Sequence, residues 1–185
     1  MKESLRIKIL TAVFAALTAV GAFLRIPTPW SSFTLQVLFV LLAGIFLGPK
    51  WGSISQLIYM LLGLAGLPIF TSGGGPGSIM TPTFGFVIGF IPAALVTGLI
   101  CRNSDSPLNT ALGCIAGDLA IYLVGIPYMA LILNGSKGLG MSFSELLWAG
   151  MIPFIPYDLA KIAIAVAVTI PLKKALRAQG LLPQQ

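Results

Sequence analysis

The sequence contains no histidine, only five acidic side chains and only two cysteines among its 185 residues. Without an imidazole, neither a Ser-His-Asp triad nor a histidine-ligated metal site can form, and so few carboxylates leave few routes to general acid/base catalysis. Cys101 and Cys114 lack the C-x-x-C spacing of zinc and redox sites, so we interpret them as small packing residues. These shortages argue against an enzyme, a metal site and a resident cofactor.

Charge is also scarce. Only 9% of the residues are charged, against about 25% in soluble domains, while 57% are hydrophobic and the mean hydropathy is +0.98. The composition indicates an integral membrane protein, and nothing along residues 1–185 marks a linker or a second domain. A net charge of +6 does not require a nucleic-acid partner if the basic residues flank the membrane spans.

Runs of about 20 apolar residues match a hydrocarbon core of about 30 Å, and they predict an all-α membrane protein. The second and third runs are short and are joined by a tight turn at 48–52, so they are alternatively a hairpin that does not fully cross the membrane. The six predicted transmembrane helices cover residues 7–24, 33–47, 51–67, 84–101, 108–133 and 146–172.

The basic residues predict the orientation. With six spans, eight of them fall on one side of the membrane and only Arg25 and Lys137 on the other. The positive-inside rule then places both termini in the cytoplasm. We expect a multi-pass protein of the plasma membrane. The eight are Lys2, Arg6, Lys8, Lys50, Arg102, Lys173, Lys174 and Arg177.

The longer loops face outward, and one of them, residues 68–83, contains the glycine cluster 73–75. Such a cluster lets backbone N–H groups approach a ligand, or it is a flexible connector. Since no Gly-Lys-Ser/Thr follows it, it is not the phosphate-binding loop of an ATPase.

Three ionisable residues fall inside predicted spans: Asp118, Asp158 and Lys161. A charge at the bilayer centre costs about 3 kcal/mol or more and tends to mark a functional site. Asp158 and Lys161 share one helix face at spacing i, i+3, so they form either an internal salt bridge or a binding pair. The nearby Pro153 and Pro156 favour binding, because broken helices at membrane depth line protein or a cavity. Asp118 lines the same cavity or pairs with hydroxyl groups.

A carboxylate beside an ammonium suits a small polar ligand with N–H donors next to a carbonyl or carboxylate. Its apolar remainder would need aromatic and aliphatic walls, although each aromatic residue is individually more typical of a core or an interfacial belt. The candidate wall residues are Trp30, Phe33, Phe84, Phe86, Tyr122 and Tyr157.

The first span carries two small-residue ridges, Ala12-x-x-x-Ala16 and Ala15-x-x-x-Ala19. Small-x-x-x-small faces allow helices to approach closely in lipid. The spacing fits a docking face for another subunit as well as packing within the chain.

Several motifs together resemble the BioY family, the biotin-binding S components of energy-coupling factor (ECF) transporters. They occur in order along nearly the whole chain: TLQVLFVLLAG at 34–44, LGPKWG at 47–52, YMLLGLAGLPIF at 59–70, PTFGF at 82–86, IYLVG at 121–125 and P-x-D-x-x-K at 156–161.

The resemblance implies a six-helix S-component fold that captures biotin from outside the cell with high affinity. It further implies a transmembrane coupling subunit (EcfT) and two cytoplasmic ATPases (EcfA and EcfA′) as partners. The chain would dock onto this complex through the alanine ridges of its first helix. The family's acid and lysine carry onto Asp158 and Lys161, with Gln36 and Tyr122 as further contributors.

The family's outer loops, which close over the ligand, correspond to 25–33 and 68–83 and include Arg25, Phe33, Gly73 and Gly74, with Phe84 just beyond the second. Where a side-chain donor such as asparagine is expected in the second loop, this chain has Ser72, Ser78 and Thr81. Biotin suits the residues: its ureido ring offers two N–H donors and a carbonyl, and Arg25 or the glycine loop would bind its carboxylate.

The sequence is also compatible with other functions. An S component for a different vitamin would share the architecture, because fold does not determine ligand. A biotin facilitator that acts without ATPases would look the same in sequence. The remote alternative is an intramembrane aspartyl protease using Asp118 and Asp158, but its motifs come in the reverse order and Lys161 would keep Asp158 ionised.

Overall fold

The described part of the chain, residues 3–27, 32–102 and 106–178 of a computed structural model, contains six α-helices and a two-stranded ribbon. It also contains a short 3-10 helix at Pro76–Met80 and a π-helical turn at Leu131–Ser136, which continues the fourth α-helix. Helices dominate because hydrocarbon offers the backbone no hydrogen-bond partners, so each apolar segment must satisfy its own N–H and C=O groups. The elements are α1 (Glu3–Phe23), β1 (Arg25–Pro27), β2 (Ser32–Thr34), α2 (Gln36–Leu64), α3 (Phe84–Cys101), α4 (Pro107–Ala130), α5 (Phe143–Gly150) and α6 (Ile155–Ala178).

Within these residues, five helical segments are long and apolar enough to cross a membrane, so the predicted multi-pass helical architecture is confirmed. The predicted start of the second span is wrong, because Phe33 belongs to β2, which pairs with β1 in antiparallel register. The five segments are Leu5–Phe23, Gln36–Leu64, Phe84–Cys101, Pro107–Ser136 and Ile155–Lys173.

Helix α2 covers most of the second and the third predicted spans, which fold back on each other at Gly48. Gly48 has φ 74° and ψ 178°, a backbone region that is essentially restricted to glycine. Gln36 reaches Tyr59 with a hydrogen bond of 2.7 Å, whereas a straight helix would separate them by about 34 Å. The arms, 36–47 and 49–64, are roughly 18 and 24 Å long at 1.5 Å per residue, so α2 is the predicted hairpin.

The hairpin turn lies beside the end of α3. A Cβ atom on Gly98 would stand 2.5 Å from the nitrogen of Pro49, so only glycine lets α3 pass this close to the turn. The start of α1 also lies here, because Ile7 packs with Leu47. Lys173 of α6 lies close enough to Cys101 for an electrostatic interaction. We call this the basic end of the bundle, since it collects Lys8, Lys50, Arg102 and Lys173.

The predicted sixth span, 146–172, is wrong as one continuous helix. Helix α5 starts with a capping box in which Ser142 and Glu145 bond reciprocally, and these hydrogen bonds lower the pKa of Glu145. The helix ends at Gly150, a non-helical turn occupies 151–154, and α6 begins at Ile155. Pro153 and Pro156 explain the break, because proline removes a backbone N–H and pushes the residue before it out of the α conformation.

Because of this break, α6 is a separate helix whose charged residues lie on one face. Helix α6 packs against α2 and α4, and its buried positions include 158, 161, 162, 165 and 169. That spacing is one face of an α-helix. The face that carries Asp158 and Lys161 therefore points into the bundle rather than into lipid.

Candidate ligand-binding site

Asp158 and Lys161 form a buried ion pair on α6. The Lys161 Nζ atom lies 2.7 Å from Oδ1 of Asp158, and the two residues are only 3% and 6% exposed. Because α6 starts at Ile155, Asp158 sits in its first turn, where the helix dipole favours a negative charge. The cation and the start of the helix are thus both favourable neighbours for a negative charge at this position.

Tyr122 completes the surroundings of this carboxylate from α4. Its hydroxyl donates a hydrogen bond to Oδ2 of Asp158, and its ring packs nearly perpendicular to that of Phe86 at a centroid distance of 6.3 Å. Both oxygens of Asp158 therefore have a partner within the protein.

A cavity of about 70 Å³ lies beside the ion pair. It is bounded by the starts of α2, α3 and α6, so it stands at the opposite end of the bundle from the basic end. The two sequence interpretations of the ion pair are not exclusive, because Asp158 and Lys161 bond each other and also face the cavity. The lining residues are Ser32, Thr34, Gln36, Val37, Thr71, Thr83, Phe86, Val87, Phe90, Asp118, Ile121, Tyr122, Gly150, Phe154, Asp158 and Lys161.

Gln36 connects the cavity to the loop after α2 through Tyr59. The Gln36 amide donates to the Tyr59 hydroxyl at 2.7 Å, and this hydroxyl donates to the carbonyl of Ile69 at 3.0 Å. Tyr59 is fully buried, so its bond with Gln36 is shielded from water. Thr71, two residues after Ile69, lines the cavity. Tyr59 therefore positions Gln36 and the neighbouring loop relative to each other.

We expect Tyr59→Phe to weaken both stability and ligand binding. The substitution leaves the Gln36 amide and the Ile69 carbonyl without their buried partner, which costs about 1–3 kcal/mol. Thermal unfolding of the purified protein in detergent and ligand titration measure the two effects. Tyr157→Phe is the matched control, since Tyr157 is 47% exposed. If Tyr59→Phe and Tyr157→Phe have the same unfolding temperature and the same Kd for the ligand, the Tyr59 hydroxyl does not position Gln36 or the loop.

Phe33 and Phe84 lie near the site, but neither is among the lining residues. Phe33 packs against Phe154 and Tyr157, with centroid distances of 4.5 and 4.2 Å, so it supports the wall from outside. Phe84 is 6% exposed and packs in the core against Phe70. Trp30, the other aromatic candidate of this loop, lies outside the described residues.

Arg25, Gly73 and Gly74 also stand back from the cavity wall. Arg25 is exposed on β1 and pairs with Thr34. The Gly73 N–H donates to the carbonyl of Phe70 at 3.0 Å, and Gly74 packs closely on the carbonyl of Leu67. The glycine cluster thus forms a tight turn pinned to the end of α2 rather than a floppy connector.

The two alanine ridges of α1 differ in exposure. Ala12 and Ala16 are exposed on the outer surface of the bundle. Ala15 is 4% exposed and packs in the core, where Ala19 packs against the same cluster. The expectation that all four alanines form one docking face is therefore wrong for Ala15, because its methyl group is already covered by the chain itself.

Of the two alternatives predicted for Asp118, the structure shows the first, because Asp118 lines the cavity one turn before Tyr122. Several other lining residues were missed at the sequence level. Helical spacing carried a signal for Phe90, which follows Phe86 by one turn on α3. Thr34, Thr71 and Phe154 lie on non-helical segments, where no periodicity shows which way a side chain points.

Known proteins resemble this chain over most of its length. A probable biotin transporter BioY of Lysinibacillus sphaericus is 44% identical across 86% of this chain and 82% of its own. The biotin transporter BioY of Thermotoga maritima is 34% identical across 88% and 92%.

A crystal structure of the S-component for biotin from an ECF-type ABC transporter superimposes with a TM-score of 0.80, at 24% identity and 92% coverage of both chains. This likeness shows the fold. The profile of the BioY family matches residues 1–178, so the resemblance seen in the motifs is confirmed and the chain belongs to the BioY family.

Proposed function

We propose that this protein captures biotin in the cavity beside Asp158 and Lys161 and delivers it to an ECF-type transport complex. The observation that carries the proposal is a buried ion pair, 2.7 Å between its charged atoms, that borders a cavity at the end of the bundle opposite the basic end. The named function of the relatives, biotin transport, agrees with that geometry.

The cavity residues suit the two halves of biotin. The ureido ring has N–H donors for the carboxylate of Asp158 and a carbonyl acceptor for the ammonium of Lys161 or the amide of Gln36. The thioether ring and the aliphatic tail need apolar contacts, which Phe86 and Phe90 offer. In this arrangement the polar ring enters first and the tail carboxylate stays near the outer segments.

The outer segments complete the site in this proposal. Arg25, exposed on β1 beside the lining strand β2, supplies a cation for the tail carboxylate. Gly73 and Gly74 form the turn next to Thr71. Phe33 and Phe84 pack behind the residues that line the cavity and support them. A cavity of about 70 Å³ is small beside the roughly 300 Å³ or more of ordinary ligand pockets, so binding must widen it.

The cavity faces the outside of the cell, and both termini lie in the cytoplasm of a cell whose plasma membrane the chain crosses. Support comes from the basic end, which the positive-inside rule assigns to the cytoplasmic leaflet. The long non-helical segments gather around the cavity at the other end, where they would meet the ligand first.

The partners in this proposal are the coupling subunit EcfT and the ATPases EcfA and EcfA′. The chain has no G-x-x-x-x-G-K-[ST] motif, so ATP must be bound by another subunit. The outward ridge of Ala12 and Ala16 on α1 provides a flat face on which a partner helix can pack closely.

The direct test is equilibrium binding of labelled biotin to the purified protein. We expect a Kd well below micromolar, which corresponds to a binding free energy stronger than about −8 kcal/mol, while thiamine and riboflavin bind at least a hundredfold more weakly. A Kd for biotin weaker than micromolar would refute the proposal. Tighter binding of another vitamin would show an S component whose ligand is that vitamin rather than biotin.

A further inference from the structure

Asp118 is a second carboxylate in the wall of the cavity. It lies on α4 one turn before Tyr122, and at i, i+4 the two side chains share a helix face. Both line the cavity together with Asp158 and Lys161. The cavity is therefore bordered by two acidic groups and one lysine.

The two carboxylates differ in how their oxygens are satisfied. Asp158 receives hydrogen bonds on both oxygens, from Lys161 and from Tyr122. Oδ1 of Asp118 is buried and accepts no hydrogen bond from the described part of the chain. A buried acceptor without a partner is unfavourable and calls for an explanation, and a ligand donor in the adjoining cavity supplies one.

We infer that Asp118 is a specificity-determining residue that accepts a hydrogen bond from an N–H of the ligand's polar ring. This inference rests on the proposed function, and it assigns the second ureido N–H to Asp118 while Asp158 takes the first. The cavity wall thus offers hydrogen-bond acceptors on two carboxyl groups beside a single lysine. A surplus of acceptors suits the N–H donors of the ring rather than the ligand's carboxylate, so the ring end points inward.

The second carboxyl group makes a distinguishing probe available. In 2-iminobiotin the ureido carbonyl is replaced by an imino group, so the protonated ring is a cyclic guanidinium with additional N–H donors. A carboxylate accepts a hydrogen bond from such a cation more strongly than a neutral amide does, so Asp118→Asn removes the advantage. A merely structural role for Asp118 would change the affinities for biotin and 2-iminobiotin by the same factor.

The experiment measures the Kd of both ligands for the wild type, Asp118→Asn and Glu145→Gln. Glu145 is exposed at the start of α5, so Glu145→Gln controls for loss of one negative charge. For Asp118→Asn we expect biotin to bind about tenfold more weakly, that is about 1.4 kcal/mol. We expect 2-iminobiotin to lose at least a further tenfold, while Glu145→Gln leaves both values within twofold of wild type.

If Asp118→Asn leaves the ratio of the two Kd values within twofold of wild type, the role of Asp118 is refuted while biotin capture stands. If the wild type itself does not bind biotin, the proposed function fails and the assignment of Asp118 fails with it. Should Asp118→Asn not fold, Asp118→Ser gives the same ratio with a smaller neutral side chain, and the same criterion applies.

Discussion

Replacing Lys161 by methionine is expected to weaken biotin binding at least a hundredfold. Methionine keeps an unbranched side chain of similar length but removes the ammonium that lies 2.7 Å from Asp158. Truncating one partner of a buried, hydrogen-bonded charge pair at a binding site costs about 2–5 kcal/mol, and each 1.4 kcal/mol is a factor of ten in Kd. Titration with labelled biotin in detergent measures the loss.

The double variant Asp158→Asn/Lys161→Met separates recognition from folding. Replacing both members of a buried pair is often neutral for stability, whereas removing one leaves an uncompensated charge that costs about 3–5 kcal/mol. If the pair serves folding alone, the double variant regains stability and binding together. If the pair contacts the ligand, stability returns and binding does not. Lys137→Met, at an exposed position, should bind like wild type.

The helical part of the fold was predictable because hydrocarbon enforces it. Any run of about 20 apolar residues must satisfy its backbone internally, so composition alone indicates the long helices. The turn at Gly48-Pro49 was visible as a glycine-proline pair in a short interval between two apolar runs. Hydropathy is averaged over a window, however, so it does not detect a local break. The predicted sixth span therefore continued through Pro153, where the helix is in fact interrupted.

The site was predictable where it lies on helices. The spacing of Asp158 and Lys161 determines that they share a face, and the cost of burying them indicates that the face points inward. Gln36 came from the resemblance, whereas Tyr122 was also a candidate wall residue, and the structure brings both to the same cavity. The ribbon of β1 and β2 depends on pairing between residues that are not neighbours in sequence. The glycine turn likewise depends on its hydrogen bonds to Phe70 and Gly63, which no local pattern encodes.

A tryptophan at Ala16 is expected to block transport and leave biotin binding unchanged. Ala16 is exposed on α1, and the lining of the cavity includes no described residue of α1, so a larger side chain points into lipid and disturbs neither the core nor the ligand. The same side chain prevents a partner helix from packing against the Ala12-Ala16 ridge, because such faces depend on close backbone approach. We expect uptake of labelled biotin by cells that also express EcfT, EcfA and EcfA′ to fall at least tenfold.

The control places the same bulk on another lipid-facing surface. Leu123 of α4 is 75% exposed, and Leu123→Trp should support uptake at the wild-type rate. Copurification with EcfT should be lost for Ala16→Trp and kept for Leu123→Trp, while the Kd for biotin stays within twofold of wild type in both. Wild-type uptake by Ala16→Trp would show that α1 is not the docking face. If Leu123→Trp alone blocked uptake, the contact would lie on α4, because only the surface that meets the coupling subunit is sensitive to added volume.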